Sequence, residues 1–432
     1  MHLGAFLFNY GNHIAAWRHR DVPADGLLDL GFYRHLAQTA ERGLFDFVFH
    51  SDGVGINDTY PAIIGHTVTI RPEPFTLLAA LAGATSRIGL AGTVSSTYNE
   101  PYPVARVLAT LDHLSGGRAA MNVVTSSTWQ EARNFGRATQ MDHASRYLRA
   151  AEFVDVVRGL WDSWADGAVV VDQAGGRFAE PGLVHRLDHV GTYFDVRGPL
   201  NVPRPPQGHP VIIQAGVSAD GQALAAAVAD VVFTVNASMA EAVVRRQALH
   251  AQAAPRRPLV LPGVMPVVAE TEAEARALHA GLQALVPAEI GVAYLSDLVD
   301  HDLSRYPADG PLPKLPAIEG GVGRFQMIER LAREDGLTLG AIAQRMLLAR
   351  GHWTVVGDAA QVADELQRWF EAGACDGFNI LAPYHPGGLE RFVDLVVPEL
   401  QRRGLFRTAY AGRTLRDHLG LARPVGRFAD VG

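Results

Sequence analysis

The sequence predicts a chain of the α/β class closed as a (β/α)8 barrel, an expectation that three observations carry. Short apolar runs alternate with longer helical patterns along nearly the whole chain, the signature of βα units in a parallel sheet. Eight such runs are present, whereas an open doubly wound sheet usually stops at about five to seven. Several consecutive runs end in hydroxyl, amide and carboxylate side chains, and barrel enzymes keep their chemistry at strand carboxyl ends.

In chain order the expected strands are 3–8 (LGAFLF), 45–50 (FDFVFH), 88–94 (IGLAGTV), 119–124 (AAMNVV), 210–215 (PVIIQA), 231–235 (VVFTV), 260–268 (VLPGVMPVV) and 377–381 (GFNIL). Helical patterns occupy 32–43, 74–85, 102–114, 144–164, 219–229, 239–253, 272–287 and 389–403. A further short run, TVVGD at 354–358, blurs the count. Residues 1–432 read as one barrel domain with two insertions. Residues 166–207 are rich in Gly and Pro and read as a hairpin excursion. Residues 291–323 are irregular and read as a loop, expected to cover the pocket as a lid or form its wall.

Composition narrows the class of function. A net charge of −7 over 432 residues, with both signs interspersed, offers no basic stripe for nucleic acid. The first 20 residues lack a basic leader and a small-residue cleavage pattern, and no run has the length of a membrane helix. The expectation is a soluble, cytoplasmic protein that binds neither nucleic acid nor membrane. The single cysteine, Cys375, lies between apolar segments and reads as a buried structural thiol. HRLDH at 185–189 spaces two histidines by four but lacks a third ligand, so no metal site is expected. Tryptophans 161, 164 and 353 read as core. The lone lysine, Lys314, lies in the irregular insertion, which argues against Schiff-base chemistry.

The strand ends carry the candidate site. They read His50-Ser51-Asp52-Gly53, Thr93 to Thr97, Asn122 to Ser127, and Gln214 to Ser218. No cluster of basic side chains is visible there, which suits a ligand held by hydroxyls and backbone N–H groups. The turn 216–218 opens a helix at Ala219-Asp220, and exposed N–H groups beside a serine hydroxyl can take one phosphate. Ser218 can equally be a plain helix cap. His143 and Tyr147, four apart, share a helix face with Arg146 adjacent. The alternative there is an Asp142 cap with His143 on the surface.

Long blocks in order give the chain a family resemblance. They include GNHIAAWR (11–18), LFDFVFHSDG (44–53), EPFTLLAALAGATSRIGLAGTVSSTYNEPY (73–102) and LDHLSGGRAAMNVVTS (111–126). NFG (134–136), LWDSW (160–164), QAGVSADG (214–221), CDGFNIL (375–381) and RTLRDHLGL (413–421) follow. Together they resemble the nitrilotriacetate and dibenzothiophene-sulfone monooxygenase family, a branch of the bacterial-luciferase-like flavin enzymes, from about residue 3 to 422.

That resemblance implies a luciferase-like (β/α)8 barrel that takes FMNH2 from a separate NAD(P)H-dependent flavin reductase. It implies reaction with O2 to a flavin C4a-hydroperoxide and insertion of one oxygen atom into a small organic substrate. Flavin contacts are implied at Asp52, Thr93, His143, Tyr147 and Ser218, with Asn122 at the ring edge. His13 and Trp17 are implied on the substrate side, and the assembly is implied to be a homodimer or homotetramer. Met121 and Ser51 depart from the family wording and are expected to reshape the pocket. Two other readings keep the barrel: hydride transfer with deazaflavin F420, and a flavin-binding protein without turnover.

Overall fold

The computed structural model describes residues 1–56, 58–216, 218–236, 238–316 and 322–428. Four strands open the chain: β1 (His2–Phe6), β2 (Phe47–His50), β3 (Gly89–Ser95) and β4 (Ala119–Val124). Two antiparallel hairpins follow, β5 (Val169–Asp172) with β6 (Arg177–Ala179), and β7 (His189–Val190) with β8 (Asp195–Val196). The remaining strands are β9 (Val211–Gln214), β10 (Val231–Thr234), β11 (Leu259–Val268), β12 (Trp353–Gly357) and β13 (Gly377–Ile380).

Eight of these form a closed parallel ring in the order β10-β9-β4-β3-β2-β1-β13-β11, sealed by the β10–β11 pair. The eight runs read from the sequence are these eight strands. The blurring run at 354–358 is a ninth strand, β12, and its place follows from the length of β11. Residues Leu259 to Pro262 of β11 pair with β10, while Val264 to Val268 pair with β12 outside the ring. The helix Ala359–Glu371 after β12, missing from the sequence reading, starts with a capping box formed by Asp358 and Gln361.

Alternation along the strands separates two cores. Leu3, Ala5, Val48, Leu90, Met121 and Ile212 pack outward against the helices. Phe6, Phe47, Phe49, Ala91, Ala120, Val211 and Ile213 share the axial core. Aromatic rings crowd that axis, with Phe6 5.1 Å from Phe49 and 6.1 Å from Phe233. Glycine makes the crowding possible. A Cβ at Gly4 would sit 2.6 Å from the Phe47 ring, and one at Gly263 would sit 2.8 Å from Phe233.

The floor of the barrel is closed by the C-terminal segment. Leu415 and Leu419 enter the axial core beside Phe47 and Ala91. Arg416 ties the plug to the strand starts through Asp230 Oδ2 at 2.9 Å and the His209 carbonyl at 2.8 Å. Thus RTLRDHLGL seals one end and leaves the strand carboxyl ends as the open mouth.

The insertions differ from expectation in detail. Segment 166–207 holds two hairpins, the second anchored where the Glu152 carboxylate accepts from the backbone N–H groups of Thr192, Tyr193 and Phe194. Part of 291–323, expected as loop, is helix: Ala288–Leu298 begins after Pro287 and buries Ile290, Tyr294 and Leu295. With helices Val322–Arg333 and Leu339–Ala349 it forms a separate apolar cluster with Ile14 and Ala15. The Gly/Pro-rich stretch around 307–323 masks this helix in the sequence; residues 317–321 lie outside the described ones. Trp161 is buried in the core, and Trp353 stacks on Trp369 at 4.4 Å. Among the described residues no helix is long and apolar enough to cross a membrane.

Two tests follow from this packing. Leu415→Ala should leave a void in the barrel floor and cost about 2–5 kcal/mol, read as a lower urea midpoint. Burial depresses His13, His50, His385 and His418 to about 4 each, aided at His418 by the Arg407 charge. A depressed pKa contributes stability that is present above the unfolded value of about 6.5 and lost as pH falls toward 4. The unfolding free energy, followed by urea titration, should therefore drop across that window by up to about 1.4 kcal/mol per pH unit for each histidine.

Candidate active site

At the mouth lies a cavity of about 720 Å³ lined from the ends of β1, β2, β3, β4, β9 and β10. That size is typical of a pocket for a cofactor or drug-sized ligand. Its sides come from the strand tips expected to carry the site, because parallel strands in a ring deliver every carboxyl end to one face.

Thr93 and Asn122 sit directly across the β3–β4 ladder and both point inward. Asn122 Nδ2 donates to Thr93 Oγ1 at 3.0 Å. This orients the amide, and the buried Asn122 Oδ1 is left without a protein partner. A buried acceptor in that state is suited to a ligand N–H. At the β2 end, Asp52 Oδ1 accepts from Gly53 N at 2.8 Å, and burial shifts its carboxyl upward from the ordinary value.

The loop after β4 is held by one carboxylate. Glu131, buried on the short helix Trp129–Asn134, accepts from Ser126 Oγ, Ser127 N, Thr128 N and Thr128 Oγ1 at 2.9–3.2 Å. Ser126 takes a positive φ of 52° and also meets Ser95 Oγ at 2.9 Å. The fully buried Arg146 donates Nη1 to the Ser126 carbonyl. Glu131 was not singled out in the sequence, although TWQE at 128–131 has the Thr-x-x-Glu form of a capping box, which this helix makes.

Across the mouth, two helix starts meet. Ser218 caps the helix Ala219–Val228, its Oγ accepting from Gly221 N at 3.2 Å, and it also lines the cavity. A hydroxyl that accepts from the backbone still has its own proton to donate, so the cap and ligand readings of Ser218 are compatible. Gly216 permits a close approach: a Cβ there would lie 2.7 Å from Gly221 Cα. Val217 lies outside the described residues. Asp142 caps the facing helix at Ser145 N, 2.9 Å. His143 is nonetheless drawn inward, its Nδ1 donating to Asp220 Oδ2 at 2.9 Å and its ring 4.8 Å from Tyr147.

The structure brings Asp52, Thr93, Asn122, His143, Tyr147 and Ser218 together around this one cavity. His13 and Trp17 are not among its lining. His13 is buried beneath the 288–349 insertion, with His13 N bonded to the Pro383 carbonyl, and Trp17 Nε1 donates to the His66 carbonyl at the surface. Met121 faces the helix layer rather than the cavity, since it alternates with inward Ala120 and Asn122. It therefore does not reshape the pocket; Ser51 does line it.

The strand tips carry no basic cluster, as expected, but other segments bring one to the mouth. The mouth is rich in guanidinium groups: Arg71, Arg146, Arg245, Arg330 and Arg350 all line it. None comes from a strand tip, and of the five only Arg146 stood out in the sequence. Arg245 and Arg330 share the Glu241 carboxylate at 2.7 and 3.1 Å. The described residues contain no group of His, Cys, Asp and Glu side chains able to hold a metal ion. Cys375 is buried and its thiol is pushed up to about 12, chiefly by burial.

The luciferase-like monooxygenase family model matches residues 6–376. The chain belongs to that family. It is 46% identical to an N-acetyl-S-(2-succino)cysteine monooxygenase of Bacillus subtilis (strain 168), over 99% of this chain and 98% of that one. It is 47% identical to nitrilotriacetate monooxygenase component A of Aminobacter aminovorans, over 99% and 98%. A riboflavin lyase structure holding modified FMN and riboflavin superposes with a TM-score of 0.87 at 32% identity, covering 99% of this chain and 98% of that chain. The chain is thus an enzyme, a flavin-dependent monooxygenase on a luciferase-like barrel.

Proposed function

We propose that the cavity binds FMNH2 and that the enzyme inserts one oxygen atom from O2 into a small organic substrate by way of a flavin C4a-hydroperoxide. The observation that carries this reading is the pairing, in one cavity, of a neutral polar floor with a helix-start cradle. The Asn122 acceptor, oriented by Thr93, suits the polar edge of an isoalloxazine ring. Tyr147, His143 and Ser218 suit a single terminal phosphate at the start of the helix Ala219–Val228. Asp52 lines the cavity at the β2 end and would serve the ring side.

When bound, the reduced flavin supplies the oxygen-activating chemistry, so the protein needs no strong acid–base pair of its own. Its side chains orient the flavin and keep water out. Helix Val322–Arg333 contributes Gln326, Met327 and Arg330 to the cavity wall, and Arg350 follows the helix Leu339–Ala349 there, which supports reading the insertion as a cover over the mouth. Reduced flavin would come from a separate NAD(P)H-dependent reductase, a division of labour to which the relative's name, component A, also points. The substrates named for the two relatives differ, so neither is assigned to this chain.

The test is anaerobic titration with FMNH2 followed by mixing with oxygenated buffer in a stopped-flow spectrometer. A flavin transient that outlives the oxidation of free FMNH2 is the expected result. Binding without such a transient would favour deazaflavin-type hydride transfer or a storage role, and absence of binding would overturn the reading. Ser218→Ala should weaken FMNH2 binding by about 1 kcal/mol, roughly fivefold. Unchanged affinity would reduce Ser218 to its cap.

A further inference from the structure

The cavity carries two guanidinium groups on the side away from the proposed phosphate cradle. In the ring order, β9 and β1 are four strands apart in an eight-stranded barrel, which places them on opposite walls. Ser218 follows β9, whereas Phe8 follows β1. Arg71 and Arg350 both stack on the Phe8 ring, with guanidinium carbons 5.2 and 4.5 Å from its centroid. Two like charges are thus gathered on one apolar ring at the edge of a cavity.

The backbone holds Arg350 there at a cost. It ends the helix Leu339–Ala349 in the left-handed region, φ 52°, a conformation that non-glycine residues seldom adopt. Gly351 follows with φ 86°, and a Cβ on it would lie 2.3 Å from Met327 Cε. The Arg350 hydrogen bonds go to the Asn12 carbonyl and the Tyr294 hydroxyl, both at 3.3 Å. Neither partner is anionic, and no ion pair of Arg350 with a carboxylate is present among the described residues. Strained backbone that presents a charge without a counter-ion to a cavity is an arrangement found at ligand sites.

We propose that Arg350, with Arg71 beside it on Phe8, binds a carboxylate of the substrate, so that the substrate is a small organic acid. A guanidinium fork matches a carboxylate in two parallel hydrogen bonds. Phe8, on whose ring both guanidinium groups lie, offers an apolar surface to the rest of such a molecule. The assignment rests on the monooxygenase reading of this cavity, which the following experiment scores separately.

Binding of nitrilotriacetate and succinate as probes, and of the neutral trimethyl ester of nitrilotriacetate, is measured calorimetrically on the full chain saturated with oxidised FMN. Wild type should bind at least one acid, and at least tenfold tighter than the ester. Arg350→Asn keeps a residue tolerant of left-handed φ, and Arg71→Gln changes an exposed loop residue. Each should weaken acid binding at least tenfold while leaving FMN affinity unchanged; the Arg71 variant serves if the Arg350 variant misfolds. Equal binding of acid and ester, absence of acid binding, or unchanged acid affinity in the variants would overturn the proposal. Should FMN itself fail to bind while the variants still lose acid affinity on the protein alone, the flavin reading falls and the carboxylate site stands.

Discussion

Closure of the eight-stranded ring is the constraint on which everything else depends. Once β10 pairs with β11, every ring strand has two neighbours and its backbone polar groups have partners within the ladder. The same closure fixes which side chains face the axis, because alternation along each strand leaves no choice once one residue is inward. Thr93 and Asn122 meet for this reason: the ladder pairs them in register, and Ala91 and Ala120 below them belong to the axial core. The site is a consequence of register before it is a consequence of chemistry.

The two ends of the barrel are treated differently. At the floor, aromatic rings, close-packed glycines and the Leu415–Leu419 plug exclude solvent. At the mouth, the polar groups are organised rather than buried away. Glu131 gathers the backbone and hydroxyls of 126–128, and Arg146 holds the Ser126 carbonyl from beneath. Burying such charged groups costs desolvation, and Glu131 recovers it through its four hydrogen bonds. The return is a loop whose shape is set before any ligand arrives.

The apolar cluster of the insertion extends this logic. Helices Ala288–Leu298, Val322–Arg333 and Leu339–Ala349 pack on one another and on Ile14 and Ala15, so the first βα loop supports the insertion from below. Gly11, at φ 135°, lets this loop pass within contact of Tyr384, where a Cβ would lie 2.4 Å from its Cα. His13 is buried in that support, which accounts for its absence from the cavity wall.

By itself the sequence determined the fold class, the eight ring strands and the polar identity of four adjacent tips. Each of those is a local property: apolar run length, periodicity and the side chains at the end of a run. It also determined the family, since long ordered blocks such as LDHLSGGRAAMNVVTS carry that likeness without any coordinates. What it could not supply is which distant segments meet. Helix Ala288–Leu298 was hidden beside a Gly/Pro-rich stretch, and Met121 looked pocket-facing until the pleat turned it outward. The arginines at the mouth lie on segments as far apart as residues 71 and 350. Their convergence depends on ring closure and on the left-handed turn at Arg350, neither of which leaves a mark in local composition. Tertiary structure alone decided the charge of the pocket, because charge at a site is summed over neighbours in space and not along the chain.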